Sequence, residues 1–127
     1  DAQLKAALGE VHAVVDARGV EVGMIELDFS QPADGLIRFL GLVPEFAGRG
    51  HGKWLLANTL ALAWRKQIRR VHVHTCTLDH PAAMISYLRA GFRAYGRAFE
   101  NFPDPRLIGL LPRDCAPQIP LIEDGGV

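Results

Sequence analysis

Cysteine is scarce in this chain. Cys76 and Cys115 are the only two, too few to frame a disulfide-stapled domain and not in a metal-ligand spacing, so the expectation is a reducing, cytoplasmic setting. Charge imbalance is missing too: 14 Lys and Arg meet 14 Asp and Glu, for a formal net charge of zero. A nucleic-acid partner would call for a clustered basic excess, so none is expected. No apolar run is long enough to cross a bilayer, no signal-peptide pattern opens the chain, and no internal repeat is visible, so no membrane partner is expected either. What is present is ordinary globular composition, 49% hydrophobic and 22% charged over 127 residues. That bounds the chain to one domain, 1–127, with enough material for a real core.

The most informative stretch runs from Leu40 to Leu56, LGLVPEFAGRGHGKWLL. An apolar run ends at Pro44, a loop with alternating Gly48, Gly50 and Gly52 follows, and an alanine-rich apolar stretch without a helix breaker begins. This reads as strand, turn, helix. A helix start offers unpartnered amides and the positive end of a dipole, and glycines let an anion approach the backbone, so phosphate binding is the implied chemistry. Two common phosphate loops are excluded by spacing. A nucleotide P-loop needs Gly at position 47 and Ser or Thr at 54, where Ala47 and Trp54 stand, and the dinucleotide fingerprint needs a small residue where Leu55 stands.

The loop resembles the pyrophosphate-binding loop of the GNAT (N-acetyltransferase) superfamily, Q/R-x-x-G-x-G/A after a strand ending in Val-x-Pro. Gly50 and Gly52 match, while Ala47 occupies the Gln/Arg place. A second segment, His80-Pro-Ala-Ala83-Met-Ile-Ser-Tyr87-Leu-Arg-Ala-Gly91-Phe92, resembles the family's N-x-x-A-x-x-x-Y-x-x-x-G-F helix with His80 at the Asn position. The resemblance covers residues 10 to 101. It implies an α/β (α+β) mixed sheet with antiparallel N-terminal strands, a splayed parallel central pair and helices on both faces.

Taken in order, residues 1–9 read as a short helical piece with Leu4 and Leu8 one turn apart and Gly9 as its stop. Val11–Asp16 and Val20–Phe29 form a hairpin through Arg18-Gly19. Leu36–Val43 is a near-continuous apolar strand, with Gly41 the expected site of a bulge. The strongest helix spans Gly50–Gln67, with Leu56, Leu60 and Ala63 on one stripe and Ala57, Ala61 and Trp64 on the next. The basic cluster at its end, Arg65, Lys66, Arg69 and Arg70, reads as complementing the helix dipole. Val71–Cys76 is the next strand, parallel to the last, and Pro81–Ala90 a shorter helix closed by Gly91. Phe92–Asn101 is expected to be a further strand, Arg106–Leu111 a last short one, and 102–127 otherwise an irregular, loose segment.

The resemblance implies a site as well. The pantetheine arm of acetyl-CoA, the co-substrate, would pair with Leu40 and Leu42, and its pyrophosphate would sit on Gly48, Arg49, Gly50, His51, Gly52 and Lys53. A substrate amine would attack the thioester directly in a ternary complex, which needs an oxyanion donor, a base and an acid. The Leu42 amide is the donor by position, and Tyr87, matching the family tyrosine, is the acid. The base is Glu26, His74 or an ordered water chain. His80 either contacts the cofactor or caps the following helix, with Asp79 the other cap candidate. His72-x-His74 share a strand face at a metal-ligand spacing, continued by Cys76, but lack a carboxylate partner, and no metal is expected.

A full-length family member begins with a strand and one or two helices that form much of the acceptor pocket. Only residues 1–8 stand for them, so the chain is a short form, a fragment, or one completed by a second copy at an exposed sheet edge, a homodimer. Two functions follow: an acetyl-CoA-dependent N-acetyltransferase acting on a primary amine, or a catalytically silent acyl-CoA-binding module with an incomplete acceptor site.

Overall fold

The β-branched side chains of Val11, Val14 and Val15 favour an extended chain, and the Asp16–Gly19 turn reverses it. Asp16 accepts the Arg18 and Val20 amides on one carboxylate oxygen at 2.8 and 3.0 Å, and Gly19 supplies the left-handed residue, φ +80°. The computed structural model describes residues 9–123, so the N-terminal helix expected at Asp1–Leu8 lies outside the described residues. By contacts the chain divides into two compact units, Asp1–His74 and Thr75–Val127.

The first unit holds a mixed sheet of four strands in the order β1 (Glu10–Val15), β2 (Glu21–Asp28), β3 (Asp34–Leu42), β4 (Arg70–Val73). The first three pair antiparallel and β3 pairs parallel with β4, as the helix between them requires. Helix α1 (His51–Ala63) follows β3 through a 3-10 turn at Pro44–Phe46. Its buried residues are Leu55, Leu56, Thr59 and Ala63, which join Val14, Val22, Ile25, Leu27, Ile37 and Ile68 in the core. Full burial of Leu27 alone stabilises by roughly 2–3 kcal/mol. Thr59 is fully buried without penalty because its hydroxyl donates to the Leu55 carbonyl at 2.7 Å. The second expected stripe is corrected: Ala57, Ala61 and Trp64 face outward.

Two further expectations in this unit are corrected. The bulge in β3 is not at Gly41. Glu26 pairs with Phe39 and Leu27 with Ile37, so Arg38 is the extra residue. The helix also ends four residues early, with Trp64 already extended (ψ 102°). Of the basic residues beyond it, Arg65 still meets the helix end as expected, its Nε donating to the Leu62 carbonyl at 3.1 Å. Arg65 bonds the Glu10 carboxylate and lies 4.0 Å from the Phe29 ring centroid, while Arg70 pairs with Asp34 at 2.8 Å.

These ion pairs set an acid response. Hydrogen bonding to Arg65, then to His12, holds the Glu10 carboxyl below its ordinary range, and the bond to Arg70 does the same for Asp34. A depressed carboxylate contributes stability above its unfolded pKa and loses it as pH falls through the folded one. The urea midpoint is therefore expected to drop below about pH 4, and Glu10→Gln to remove part of that drop. An equal drop in parent and variant would overturn the assignment to Glu10.

Among its described residues the second unit contains one regular element, helix α2 (Ala83–Arg89). The strands expected at Phe92–Asn101 and Arg106–Leu111 are absent. The first segment has no ladder partner among the described residues, and the second is a succession of turns. Arg106, 6% exposed, is the only buried side chain described in this unit. Its guanidinium donates to Asp104 at 2.7 Å and to the carbonyls of Cys115, Ala116 and Ile119 at 3.0 to 3.2 Å. The described part of the C-terminal segment is thus not a loose tail. One arginine collects its carbonyls, and Gln118 ties it further to the Asp79 carbonyl at 3.0 Å.

Candidate functional site

The Val43 amide donates to the Val22 carbonyl at 2.8 Å, and this fixes the phase of the β2–β3 ladder. Antiparallel alternation then turns the main-chain groups of Gly41 and Phe39 toward β2 and those of Leu40 and Leu42 the other way. Pairing of β3 with β4 stops at Ile37↔Val73. Leu40 and Leu42 therefore present N–H and C=O groups beyond the last β4 pair. Gly41 lies instead under a neighbouring ring: a Cβ there would stand 3.0 Å from the exposed Phe39 ring, which would have to shift slightly.

Pro44 stops the strand and opens the 3-10 turn, closed by the Ala47 amide on the Pro44 carbonyl at 3.1 Å. Gly48 and Gly50 are both left-handed, φ +72° and +81°, and Gly50 is the N-cap of α1. No side chain caps this end, and the first turn carries no acidic residue. A Cβ built on Gly48, Gly50 or Gly52 would meet nothing within 4 Å. Gly48 and Gly50 are explained by their backbone angles, whereas nothing inside the chain requires glycine at 52. Arg49 places its guanidinium carbon 5.9 Å from the Phe46 ring centroid, and His51 stands 5.5 Å from the same ring. Phe46 thus seats a cation and an imidazole beside the loop, a role only a fold can reveal. Lys53 is exposed on the first turn.

The two base candidates both belong to this unit. Glu26, 14% exposed at its side chain, stands 3.9 Å from Arg38, whose Nε pairs with Asp28 at 3.1 Å. His74 is exposed and follows directly on Val73, the last paired residue of β4. The expectation that His72 and His74 share a strand face is corrected, because β4 has ended before His74 and strand alternation no longer sets its direction. His72 instead lines a cavity of about 60 Å³ with Asp28, Ser30, Gln31, Asp34 and Leu36. Among the described residues no group of three or more His, Cys, Asp or Glu is placed to hold a metal ion, and no helix is long and apolar enough to cross a membrane.

In the second unit neither candidate caps helix α2, whose N-cap is Ala82 with no side-chain hydrogen bond. His80 Nδ1 accepts the Ala82 amide at 3.1 Å, which leaves Nε2 for any ligand. The Asp79 carboxylate turns back to Thr75 Oγ1 at 2.7 Å and the Cys76 amide at 3.1 Å. Helix α2 ends as expected at Gly91, φ +99°. Tyr87 packs edge-on against Phe92, ring centroids 5.7 Å apart. Burial first, and the Asp79 charge second, push its phenol pKa up, so it stays protonated at neutral pH and is able to donate.

Known proteins bear on this arrangement. The model of the Acetyltransferase (GNAT) family matches residues 3–92. A search of curated proteins finds no match. Among solved structures, an acetyltransferase from Trypanosoma brucei is similar at TM-score 0.60 and 22% identity, over 80% of this chain and 75% of that one. A GNAT family acetyltransferase from Elizabethkingia anophelis with acetyl-CoA bound is similar at TM-score 0.64 and 18% identity, over 75% of this chain and 61% of that one. The aminoglycoside N-acetyltransferase AAC(6')-Iy in complex with CoA gives TM-score 0.56 and 16% identity, over 74% of this chain and 75% of that one.

Proposed function

Because the chain belongs to the GNAT acetyltransferase family, we propose that it moves an acetyl group from acetyl-CoA to a primary amine by direct attack in a ternary complex. One observation carries the reading: the outward main-chain groups of Leu40 and Leu42 run straight into an uncapped, glycine-opened helix start. An extended pantetheine arm adds to a free strand edge in this way, and a diphosphate suits amides with no acidic neighbour. Arg49 and Lys53 supply positive charge. When bound, acetyl-CoA supplies the thioester carbonyl that the amine attacks.

The chain's own groups do the rest. The Leu42 N–H donates to the oxygen on which charge develops. Glu26 takes the proton that makes the amine nucleophilic, with His74 the alternative. Tyr87 gives its phenolic proton to the departing sulfur and regains one from solvent. Its assignment rests on its motif position and its protonated state.

Tyr87→Phe is expected to lower kcat by about 100-fold in a thiol-release assay, with the Kd of CoA in calorimetry unchanged. Unchanged turnover would remove the acid role. Glu26→Gln is expected to lower kcat/KM by about 100-fold; if His74→Asn does so instead, the base is the histidine. Heat of CoA association with no thiol release across a panel of amines would identify a silent binding module. We place the enzyme in the cytoplasm on its two free cysteines. We also propose pairing of two copies through β1, the outer strand, which sedimentation showing only monomer would refute.

A further inference from the structure

We infer that Trp54 stacks on the adenine of coenzyme A and so makes this chain selective for the nucleotide-bearing thioester over nucleotide-free ones. The inference rests on the proposed cofactor reading and extends it to a residue outside the glycine loop. Trp54 is the fourth residue of α1 and is 55% exposed, although a tryptophan is among the costliest side chains to leave in water. Its neighbours Leu55 and Leu56 carry the helix's packing, so the indole serves no core. Helical side chains lean toward the N-terminus, which sets the indole over the first turn, on the side of the diphosphate cradle.

The chemistry of the ligand matches. Coenzyme A continues from its diphosphate into a phosphorylated ribose and an adenine. If the pantetheine arm lies on Leu40 and Leu42 and the diphosphate on the amides after Gly48, the nucleoside leaves across the exposed first turn. That turn offers a π-face at Trp54 and cations at Arg49 and Lys53. Arg49 is already seated on Phe46, and the Asn58 side chain is bonded to the Trp54 carbonyl at 2.9 Å. Base–aromatic stacking needs no hydrogen-bond pattern, only an accessible flat face.

Trp64 is the only other tryptophan in the chain and lies ten residues along, about 15 Å away by helical rise. In a Trp64→Phe background the emission therefore reports Trp54 alone. CoA and adenosine 3',5'-bisphosphate are both expected to quench it, and acetyl-pantetheine is not. By calorimetry Trp54→Ala is expected to weaken CoA about 10-fold, leave acetyl-pantetheine unchanged, and be largely rescued by Trp54→Phe. Thermal melts of the unliganded variants check folding. An unchanged CoA Kd in Trp54→Ala, or CoA saturation without a change in Trp54 emission, overturns the inference while leaving the cofactor reading intact. Absence of any CoA binding to the parent protein overturns both.

Discussion

Gly50→Val is expected to weaken coenzyme A binding by at least about 30-fold. Gly50 is the N-cap of α1 at φ +81°, where an L residue costs roughly 1–2 kcal/mol and a β-branched one more. The cost is conformational and not steric, since a Cβ there meets nothing within 4 Å. The variant can escape the penalty only by rotating out of the left-handed region, and that rotation re-aims the amides that follow. About 2 kcal/mol lost at the cradle corresponds to the 30-fold figure. Gly52→Ala is the control. Its backbone is outside the left-handed region and its added methyl is equally unobstructed, and the family pattern accepts alanine there, so binding should persist. Calorimetry on both variants decides it. Equal affinity of Gly50→Val and parent would end the proposal that these amides hold a diphosphate.

Gly23→Ala is expected to be the most damaging single methyl added to the first unit. A Cβ at Gly23 would sit 2.5 Å from the Gly41 carbonyl oxygen, 2.8 Å from a Leu42 methyl and 3.3 Å from Val14 Cβ. The first of these is backbone in the middle of a sheet and has nowhere to go, so β2 and β3 must part locally. Overpacking of this kind costs about 3 kcal/mol, or a fall in Tm of roughly 10 °C for a domain of this size. The displaced residues are Gly41 and Leu42, one of which carries the proposed oxyanion donor. Activity should therefore fall by more than the unfolded fraction explains, which a comparison of kcat with the fraction folded at the same temperature will show. A Tm within 2 °C of the parent, against the roughly 10 °C fall expected, would mean that the strands accommodate the methyl.

Both predictions rest on glycines, yet their visibility in the sequence differs. Gly48, Gly50 and Gly52 stand out because they alternate between an apolar strand and an apolar helix, a local pattern. Gly23 sits inside an ordinary alternating strand, and its necessity comes from Gly41 and Val14, residues brought beside it only by pairing. Gly41 looked like a bulge because it interrupts an apolar run. The bulge is at Arg38, since a bulge is a mismatch of register between two strands and one strand alone does not specify it. Phe46 was likewise invisible as the seat of Arg49 and His51.

The end of α1 makes the same point. The stretch after Ala63 contains no Gly or Pro, so helical propensity continues to Gln67. The chain leaves the helix where Arg65 reaches Glu10, 55 residues away, and the Phe29 ring. The absent strand at Phe92–Asn101 is the converse case: its alternation suits a strand, but a strand exists only where a neighbour offers its ladder.

What the chain dictates on its own is therefore whatever is written in local, periodic chemistry: the hairpin, the apolar β3, the glycine loop, the start of α1, the helix closed by Gly91, and the family these motifs mark. What only the tertiary structure decided is everything resting on contacts distant in sequence. These include the place of the bulge, the freedom of the Leu40 and Leu42 edge beyond Val73, the turn of Asp79 away from the helix that follows it, and the gathering of the C-terminal carbonyls by Arg106. The division follows from range. Backbone preference and hydrophobic period act within a few residues, whereas register, strand ends and buried polar satisfaction depend on which distant segments arrive together.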